Sequence, residues 1–210
     1  MPLLEHLGRT VEEVIEVVPA CLGLSIVRID QTDSCTVAAS DDTVAVLDGV
    51  QYLDGGPGVE AGVRRQWGAT STASLDGRWP LYAAASQRAG VQSTLTLPVT
   101  DHEVALGAVR VYAGLADAFE DREADVARLV DGGGAADLVL GSATTLTTRR
   151  LAEHSPLSLR AQGALNRAIG ALTLHLDTDV TTAHERLVDA AQRAGITVER
   201  LAQTVVELHD

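Results

Sequence analysis

The stretch that decides the fold of the C-terminal part is LNRAIGALTLHLDTDVTTAHERLVDAAQRAGITVERLAQTVVEL, residues 165–208. Its apolar residues recur at intervals of three and four, the spacing of one face of an α-helix. Asp179 and Thr197 stand where helix N-caps are expected, and Gly195 suits a helix C-cap. The stretch therefore predicts three short amphipathic helices with almost no loop between them. Because so small a unit has little core of its own, it is better interpreted as an output module carried by a larger domain.

Small apolar residues in this stretch carry a family resemblance through their order and spacing. They are Ala168-Ile169-Gly170-Ala171-Leu172 in the first helix, Ala183, Leu187 and Ala190-Ala191 in the second, and Leu201-Ala202 with Val205-Val206 in the third. On these residues, the region from Leu159 to Leu208 resembles the ANTAR domain, a three-helix RNA-binding module of bacterial transcription antiterminators. The resemblance implies recognition of paired RNA hairpins with small loops, and antitermination through competition between RNA structures.

Seven residues of this unit are candidate RNA contacts: Arg160, Arg167, Ala168, Gly170, His184, Arg193 and Arg200. The arginines would contact phosphates, and the small residues would allow an RNA loop or a partner helix to approach closely. The family usually has Lys where this chain has Ile169, Arg where it has Gln162, and an aromatic residue where it has His184. The alternative is that the arginines form ordinary solvated helix faces, paired with neighbouring acidic residues.

Charge restricts the kind of nucleic-acid binding that is possible. The 210 residues carry a net charge of -13, and every basic side chain is Arg. Residues 1–148 hold 9 Arg against 21 Asp and Glu, whereas residues 149–210 hold 7 Arg against 8 acidic residues. Because phosphate contacts need a basic surface, this net charge argues against a general nucleic-acid binder. Any RNA binding would be local and specific for shape.

The sequence before this unit predicts alternating helices and strands. Helices are predicted over residues 4–18, 43–53, 59–67, 79–89 and 119–140, and strands over residues 22–29, 35–39, 69–73, 92–99 and 104–112. The branched apolar residues of the strands and the turn residues between them are the signals. This order predicts the α+β class, with an antiparallel sheet that carries helices on its faces.

A second family resemblance covers about 100 residues of this part. It is carried by Leu47-Asp48 with Gln51-Tyr52, Gly56-Pro57, Arg78-Trp79-Pro80, Gly90-Val91 with Ser93, Leu97-Pro98, Leu106-Gly107 and Ala118-Phe119. Together they resemble a GAF domain, a small-molecule sensor fold. The resemblance implies a GAF-like domain with its connector helix over residues 1–141, followed by an ANTAR-like domain over residues 142–210. Gly58 departs from the pattern, since such proteins commonly have Cys after the Gly-Pro pair.

Five polar and aromatic residues are the candidate lining of a ligand cavity in the GAF-like domain: Gln51, Tyr52, Arg78, Trp79 and Tyr82. Together they could hold a flat or anionic small molecule, which the sequence does not identify. The alternative is structural: Trp79 and Tyr82 are core residues, and Gln51 caps a backbone group.

Other kinds of site lack a supporting pattern. His175, Asp177, Asp179 and His184 do not repeat a metal-ligand spacing, so no metal site and no cofactor are predicted. No catalytic constellation is found, and an enzyme with this fold, such as a sulfoxide reductase, would need clustered reactive cysteines. Cys21 and Cys35 have no CxxC spacing. No segment approaches the roughly 18 apolar residues of a membrane span, and the N-terminus is unlike a signal peptide, so a soluble, cytoplasmic protein is expected.

The expected function is a transcription antitermination regulator that works as a homodimer. Ligand binding would bias dimer geometry through the connector helix, where an apolar stripe of Leu129, Ala136, Val139 and Leu140 would supply part of the contact. The alternative is a ligand-binding or dimerising scaffold whose C-terminal unit no longer binds RNA.

Overall fold

An antiparallel sheet forms the centre of the molecule. The computed structural model describes residues 3–30, 33–75, 77–102, 104–132, 135–141 and 159–209. Its strands are β1 (Cys21–Asp30), β2 (Asp33–Ala39), β3 (Gly68–Ser71), β4 (Ser93–Asp101) and β5 (Val104–Ala113). They are arranged in the order β2-β1-β5-β4-β3, and all neighbours are antiparallel. The predicted α+β class and antiparallel sheet are confirmed.

Helices cover both faces of the sheet. Six belong to the first part of the chain: α1 (Leu3–Val17), α2 (Asp42–Asp54), α3 (Pro57–Arg64), α4 (Pro80–Arg88), α5 (Glu123–Gly132) and α6 (Ala135–Gly141). The C-terminal stretch forms α7 (Leu159–His175), α8 (Val180–Ala194) and α9 (Val198–His209). These elements lie where the sequence predicts them, except that the one helix predicted over residues 119–140 corresponds to two, α5 and α6. The start of α5 differs, because turns precede Glu123 and Asp121 has a left-handed φ of 60°.

The ends of the C-terminal helices follow the predicted caps. Asp179 accepts hydrogen bonds from the backbone N–H groups of Thr181 and Thr182 at 2.9 and 3.0 Å. Gly195 ends α8 with a left-handed φ of 69°, a conformation that glycine adopts without strain. Thr197 accepts a bond from the N–H of Arg200 at 3.2 Å. Local chemistry therefore sets the boundaries of these helices.

One face of the sheet is covered by α1, α5 and α6. Its core includes Leu24, Val109 and Val111, which are fully buried or nearly so. The apolar stripe predicted as a dimer contact lies here. Val139 is buried in this core, and Leu129 and Ala136 pack against it, whereas Leu140 is exposed. Most of the stripe is thus engaged within the chain, because it covers the sheet.

The other face carries α2 and α4 and, beyond them, the three C-terminal helices. One continuous cluster of buried residues joins Val46 and Val50 of α2 to Leu187 of α8 and Leu201 of α9. At Gly49 of α2, an added Cβ would lie 3.2 Å from the Cβ of Ala194 and 3.4 Å from Leu201. The C-terminal helices therefore share a core with the sheet domain. Residues 142–158, at the predicted start of the ANTAR-like domain, lie outside the described residues.

Candidate ligand-binding site

A buried arginine on β5 marks the candidate site. Side chains alternate along this strand, so Val109 and Val111 face α1, α5 and α6, whereas Arg110 and Tyr112 face α2. Arg110 is 0% exposed. Burying a guanidinium in this way is costly unless a counter-charge and hydrogen bonds compensate for lost hydration.

Asp48 of α2 supplies that counter-charge. Its Oδ1 accepts hydrogen bonds from Nη1 of Arg110 at 2.9 Å and from the hydroxyl of Tyr112 at 2.6 Å. Its Oδ2 accepts a bond from Oγ1 of Thr36 at 2.7 Å. With three charge-assisted or hydroxyl donors, the carboxylate of Asp48 is well satisfied in a buried position.

The guanidinium itself is only partly satisfied. Nη1 of Arg110 also lies 3.5 Å from the hydroxyl of Tyr52, a weak contact. Nε and Nη2 have no hydrogen-bond partner among the described residues. The hydroxyl of Ser25, directly across from Arg110 in the β1–β5 register, is also buried without a partner there. Such groups are uncommon in folded proteins and point to a functional site.

Burial and charge together shift the titration of this group of residues. Burial lowers the pKa of Arg110, but the neighbouring Tyr52 and Asp48 raise it by more, so the net shift is upward. Burial raises the pKa of Tyr112 well above its usual range, and the charge of Asp48 adds to that effect. Arg110 is therefore a cation and Tyr112 a neutral hydroxyl at physiological pH.

A cavity of about 450 Å³ lies beside the buried arginine. Much of its wall is apolar or glycine, and four charged residues line it besides Arg110. Its lining is Ile29, Asp30, Asp33, Ser34, Gly58, Val59, Gly62, Val63, Arg65, Ala105, Arg110 and Arg193. The cavity thus lies between α3, the β1–β2 end of the sheet, β5 and one arginine of α8.

Gly58 at the start of α3 is fitted to Arg110. A Cβ added at Gly58 would lie 2.4 Å from Nε and 2.7 Å from Cδ of Arg110, which no real side chain tolerates. The N–H of Gly58 donates a hydrogen bond of 2.9 Å to Oε1 of Gln51. Glycine at this position therefore has a structural reason, since the arginine occupies the space that a side chain would need.

The predicted lining residues are not all brought together. Gln51 is fully buried, donates to the Tyr112 hydroxyl at 2.8 Å and accepts a bond from the N–H of Gly58 at 2.9 Å, a backbone contact of the kind that the structural alternative describes. Tyr52 lies at the site, with Cζ of Arg110 5.4 Å and Cζ of Arg193 4.4 Å from its ring centroid. Tyr82 is a core residue, fully buried and hydrogen-bonded to Thr94 at 2.7 Å.

Arg78 and Trp79 contribute to a different depression. Cζ of Arg78 lies 4.4 Å from the Trp79 ring centroid, and Nη1 of Arg78 bonds Glu60 at 3.0 Å. Both residues line a smaller cavity of about 210 Å³ with Trp67 and other residues around α3. Trp79 also packs against Gly55, where a Cβ would lie 2.7 Å from its ring.

Two of the candidate RNA contacts bind the sheet domain. Nε of Arg193 donates to the carbonyl oxygen of Ser34 at 2.8 Å, and Nη2 lies 3.0 Å from Oδ1 of Asp33. Nε of Arg200 donates to Oδ2 of Asp42 at 2.8 Å. These contacts hold α8 and α9 against β2 and the start of α2.

The other candidate RNA contacts divide into exposed and buried residues. Arg167, Gly170 and His184 are exposed, and an added Cβ at Gly170 would meet nothing within 4 Å. Ala168 is fully buried in the shared core. The backbone of Arg160 belongs to the first turn of α7, and its side chain lies outside the described residues.

Metal ligands and reactive thiols are the remaining candidates for a site. The described residues contain no group of three or more His, Cys, Asp and Glu that could hold a metal ion. His175 instead lies 2.7 Å from Oδ1 of Asp54. Neither Cys21 nor Cys35 forms a disulfide within the described part of the chain, and burial raises the pKa of Cys21. No helix within the same described ranges is long and apolar enough to cross a membrane.

Sequence reasoning missed the central residue of the site. A signal for Arg110 was present, because an arginine stands between Val109 and Val111 in the middle of a buried strand. A charged residue at such a position needs a partner, which alternation along the strand alone does not identify. The chain was compared with protein-family models, curated proteins and solved structures, and none of them matches it.

Proposed function

We propose that this protein is a ligand-responsive, RNA-binding regulator of transcription antitermination. The sheet domain would act as the GAF-like sensor, and α7, α8 and α9 would form the ANTAR-like output module. The observation that carries this proposal is the position of Arg193, a candidate RNA contact that is also part of the cavity wall. One side chain thus connects the place where a ligand would bind to the unit that would bind RNA.

An exposed face of α7 is suited to contact RNA. Asn166, Arg167, Gly170 and Leu174 are exposed and spaced along one side of the helix, and Leu174 is 86% exposed. Arg167 has no hydrogen bond or ion pair among the described residues, so its guanidinium is available for a phosphate. Gly170 leaves room for a close backbone approach. A small patch of this kind fits the local, shape-specific binding that the acidic chain allows.

Docking on the sheet domain would control this activity. Arg193 and Arg200 are already engaged by Ser34, Asp33 and Asp42, so these contacts would compete with contacts to RNA phosphates. We infer that RNA competes with docking for these two side chains, and that a ligand in the cavity biases the competition through its contacts with Arg193.

The second candidate function is a ligand-binding scaffold without RNA affinity. It is favoured by the shared core, which makes the three helices a structural part of the sheet domain. It is also favoured by Ile169, which is buried where the family has a lysine.

Fluorescence anisotropy with a paired-hairpin RNA tests the proposal. We expect binding at near-physiological salt to the hairpins and not to a stem of equal length with altered loops. Replacing Arg167→Ala should weaken binding about tenfold, because a charge-assisted phosphate contact is lost. The matched control is Arg128→Ala, which removes an exposed arginine from α5. Equal binding to both RNAs, or none, would leave the scaffold as the function.

A further inference from the structure

The free edge of Arg110 defines a specific recognition chemistry. In a guanidinium, Nε and the terminal nitrogen on the same side present two parallel N–H groups, which match the two oxygens of a carboxylate. In Arg110 the nitrogen bound to Asp48 is Nη1, so Nε and Nη2 are the pair without partners among the described residues. The side chain is fully buried, and a buried donor without an acceptor is costly.

The pair with Asp48 leaves hydrogen bonds unmade, although it balances the charge. Asp48 already accepts bonds from Arg110, Tyr112 and Thr36. It cannot turn toward Nε and Nη2 without losing these donors. An acceptor for the free edge must therefore come from elsewhere.

The cavity that Arg110 lines is of a size and composition suited to a small molecule. Its volume of about 450 Å³ falls in the ordinary range for ligand sites. Ile29, Val59, Val63 and Ala105 provide an apolar lining, and Arg110 stands in the wall. Apolar walls combined with a small number of polar groups are the usual composition of such sites.

We propose that this cavity binds a small carboxylate with an apolar body, held bidentately by Nε and Nη2 of Arg110. This inference names the class of ligand for the sensor site of the proposed function. Its regulatory consequence rests on that proposed function. The unpartnered hydroxyl of Ser25, opposite Arg110 on β1, is placed to add a donor to the same carboxylate.

A carboxylate is favoured over a phosphate by the number of donors and by the local charge. Two parallel N–H groups satisfy two carboxylate oxygens, whereas a phosphate group presents further oxygens that need donors or water. In the cavity wall Asp30 and Asp33 balance Arg65 and Arg193, and Asp48 balances Arg110, so the site offers no net positive charge to a dianion.

Access to the free edge requires movement of α3. No side-chain surface of Arg110 is open to bulk solvent, and Gly58 lies against its Nε. A ligand that reaches Nε must therefore displace the start of α3. The same ligand would lie near Arg193, whose guanidinium stacks on Tyr52 and fixes α8 to β2. Occupation of the cavity is thus coupled to docking of the output helices.

The test measures binding of matched carboxylates and amides to the full chain in the absence of RNA. Benzoate is compared with benzamide, acetate with acetamide, and inorganic phosphate is included, all by isothermal titration calorimetry. We expect benzoate to bind at least about tenfold more tightly than benzamide, because only the carboxylate accepts both N–H groups with charge assistance. Acetate should bind more weakly than benzoate, since it leaves the apolar walls uncovered.

Variants assign the preference to Arg110. The double variant Arg110→Met with Asp48→Asn removes both charges together, so no unpaired buried charge remains. It should bind benzoate and benzamide equally. Arg64→Gln removes an arginine from the exposed side of α3 and should keep the preference of the unchanged chain.

Any of four results would overturn the inference. Neither benzoate nor acetate binds; a carboxylate binds no more tightly than its amide; or phosphate binds as tightly as benzoate. The fourth is that the double variant still prefers benzoate to benzamide. If the double variant does not fold, the test uses nitrogen NMR of the Arg110 Nε–H in the unchanged chain. The Nε–H signal must then shift when benzoate is added and not when benzamide is added. RNA is absent from these measurements, so failure of carboxylate binding and failure of hairpin binding are separate outcomes.

Discussion

At the scale of single residues, the molecule depends on an ion pair that connects a strand to a helix. Arg110 and Asp48 are both 0% exposed and lie 62 residues apart in the chain. Replacing such a pair by apolar residues costs little, whereas removing one partner leaves a buried charge without compensation. The pair therefore contributes more to the position of α2 over β5, and to the free edge of Arg110, than to net stability.

The single substitution Asp48→Asn tests this interpretation. It should lower the free energy of unfolding by about 3–5 kcal/mol, because the charge of Arg110 stays buried and unpaired. Urea denaturation followed by circular dichroism measures the change. Asp125→Asn breaks an exposed pair with Arg128 and should cost less than about 1 kcal/mol. Similar losses in the two variants would show that the buried pair has no special role.

At the scale of elements, docking of α8 and α9 on α2 depends on a glycine. Gly49 is the point where α2 meets Ala194, Ile196 and Leu201, all of them close to an added Cβ. The helices approach closely because no side chain stands between them. Around this contact, Arg193 and Arg200 make polar bonds to β2 and α2. The close contact at Gly49 and the polar bonds of Arg193 and Arg200 thus connect two units that the sequence predicts as separate domains.

Replacing Gly49→Leu should push α8 and α9 away from α2. Overpacking of this kind lowers the free energy of unfolding by about 1–3 kcal/mol. The proposed competition adds a second expectation, that the variant binds the hairpin RNA more tightly because Arg193 and Arg200 are released. Urea denaturation and anisotropy measure the two effects.

Gly163→Ala is the control for the Gly49 variant. Gly163 lies in α7 with nothing within 4 Å of an added Cβ. This change should raise the free energy of unfolding by about 0.5–1 kcal/mol through helix propensity, without altering RNA affinity. A Gly49→Leu variant with unchanged RNA affinity despite reduced stability would count against control by docking.

At the scale of the whole molecule, one buried cluster extends from the sheet domain into the C-terminal helices. It contains Tyr82 and Tyr112 on the sheet side and Leu172, Leu187 and Leu201 on the helix side. Elements that share a core lose their burial together. The three helices and the sheet domain are therefore expected to unfold together, since the helices have little other core.

Thermal unfolding should accordingly show a single transition. Trp67 and Trp79 report on the sheet domain by fluorescence, and far-UV circular dichroism reports on all helices, including α7, α8 and α9. The two signals should change at the same temperature. Two separated transitions would indicate that the C-terminal unit folds independently.

Much of the architecture follows from local patterns in the sequence. The intervals between apolar residues predict the helices, and the caps at Asp179, Thr197 and Gly195 predict where the last ones begin and end. Strand alternation and turn residues predict the sheet. These signals depend on neighbours within a few residues, so they can be recognised without knowledge of the fold. The start of α5 was predicted less accurately, because a turn with a left-handed φ at Asp121 precedes the helix.

The candidate site was predicted less well than the fold. Tyr52 lies beside the cavity, whereas Arg78 and Trp79 belong to another depression and Tyr82 to the core. The residues that define the free edge, Arg110 and its partner Asp48, were not selected. Polar residues that are close in the sequence need not face the same cavity, because their helices and loops turn them in different directions.

The sequence by itself determined the α+β class, the order of elements and the three capped helices at the C-terminus. Only the tertiary structure decided that these helices share the core of the sheet domain, that Arg193 forms part of a cavity wall, and that Arg110 keeps two N–H groups free. The physical reason is the range of the interactions. Helices and turns arise from contacts within a few residues, whereas Arg193 meets Ser34 across 159 positions of the chain, and only the complete fold brings them together.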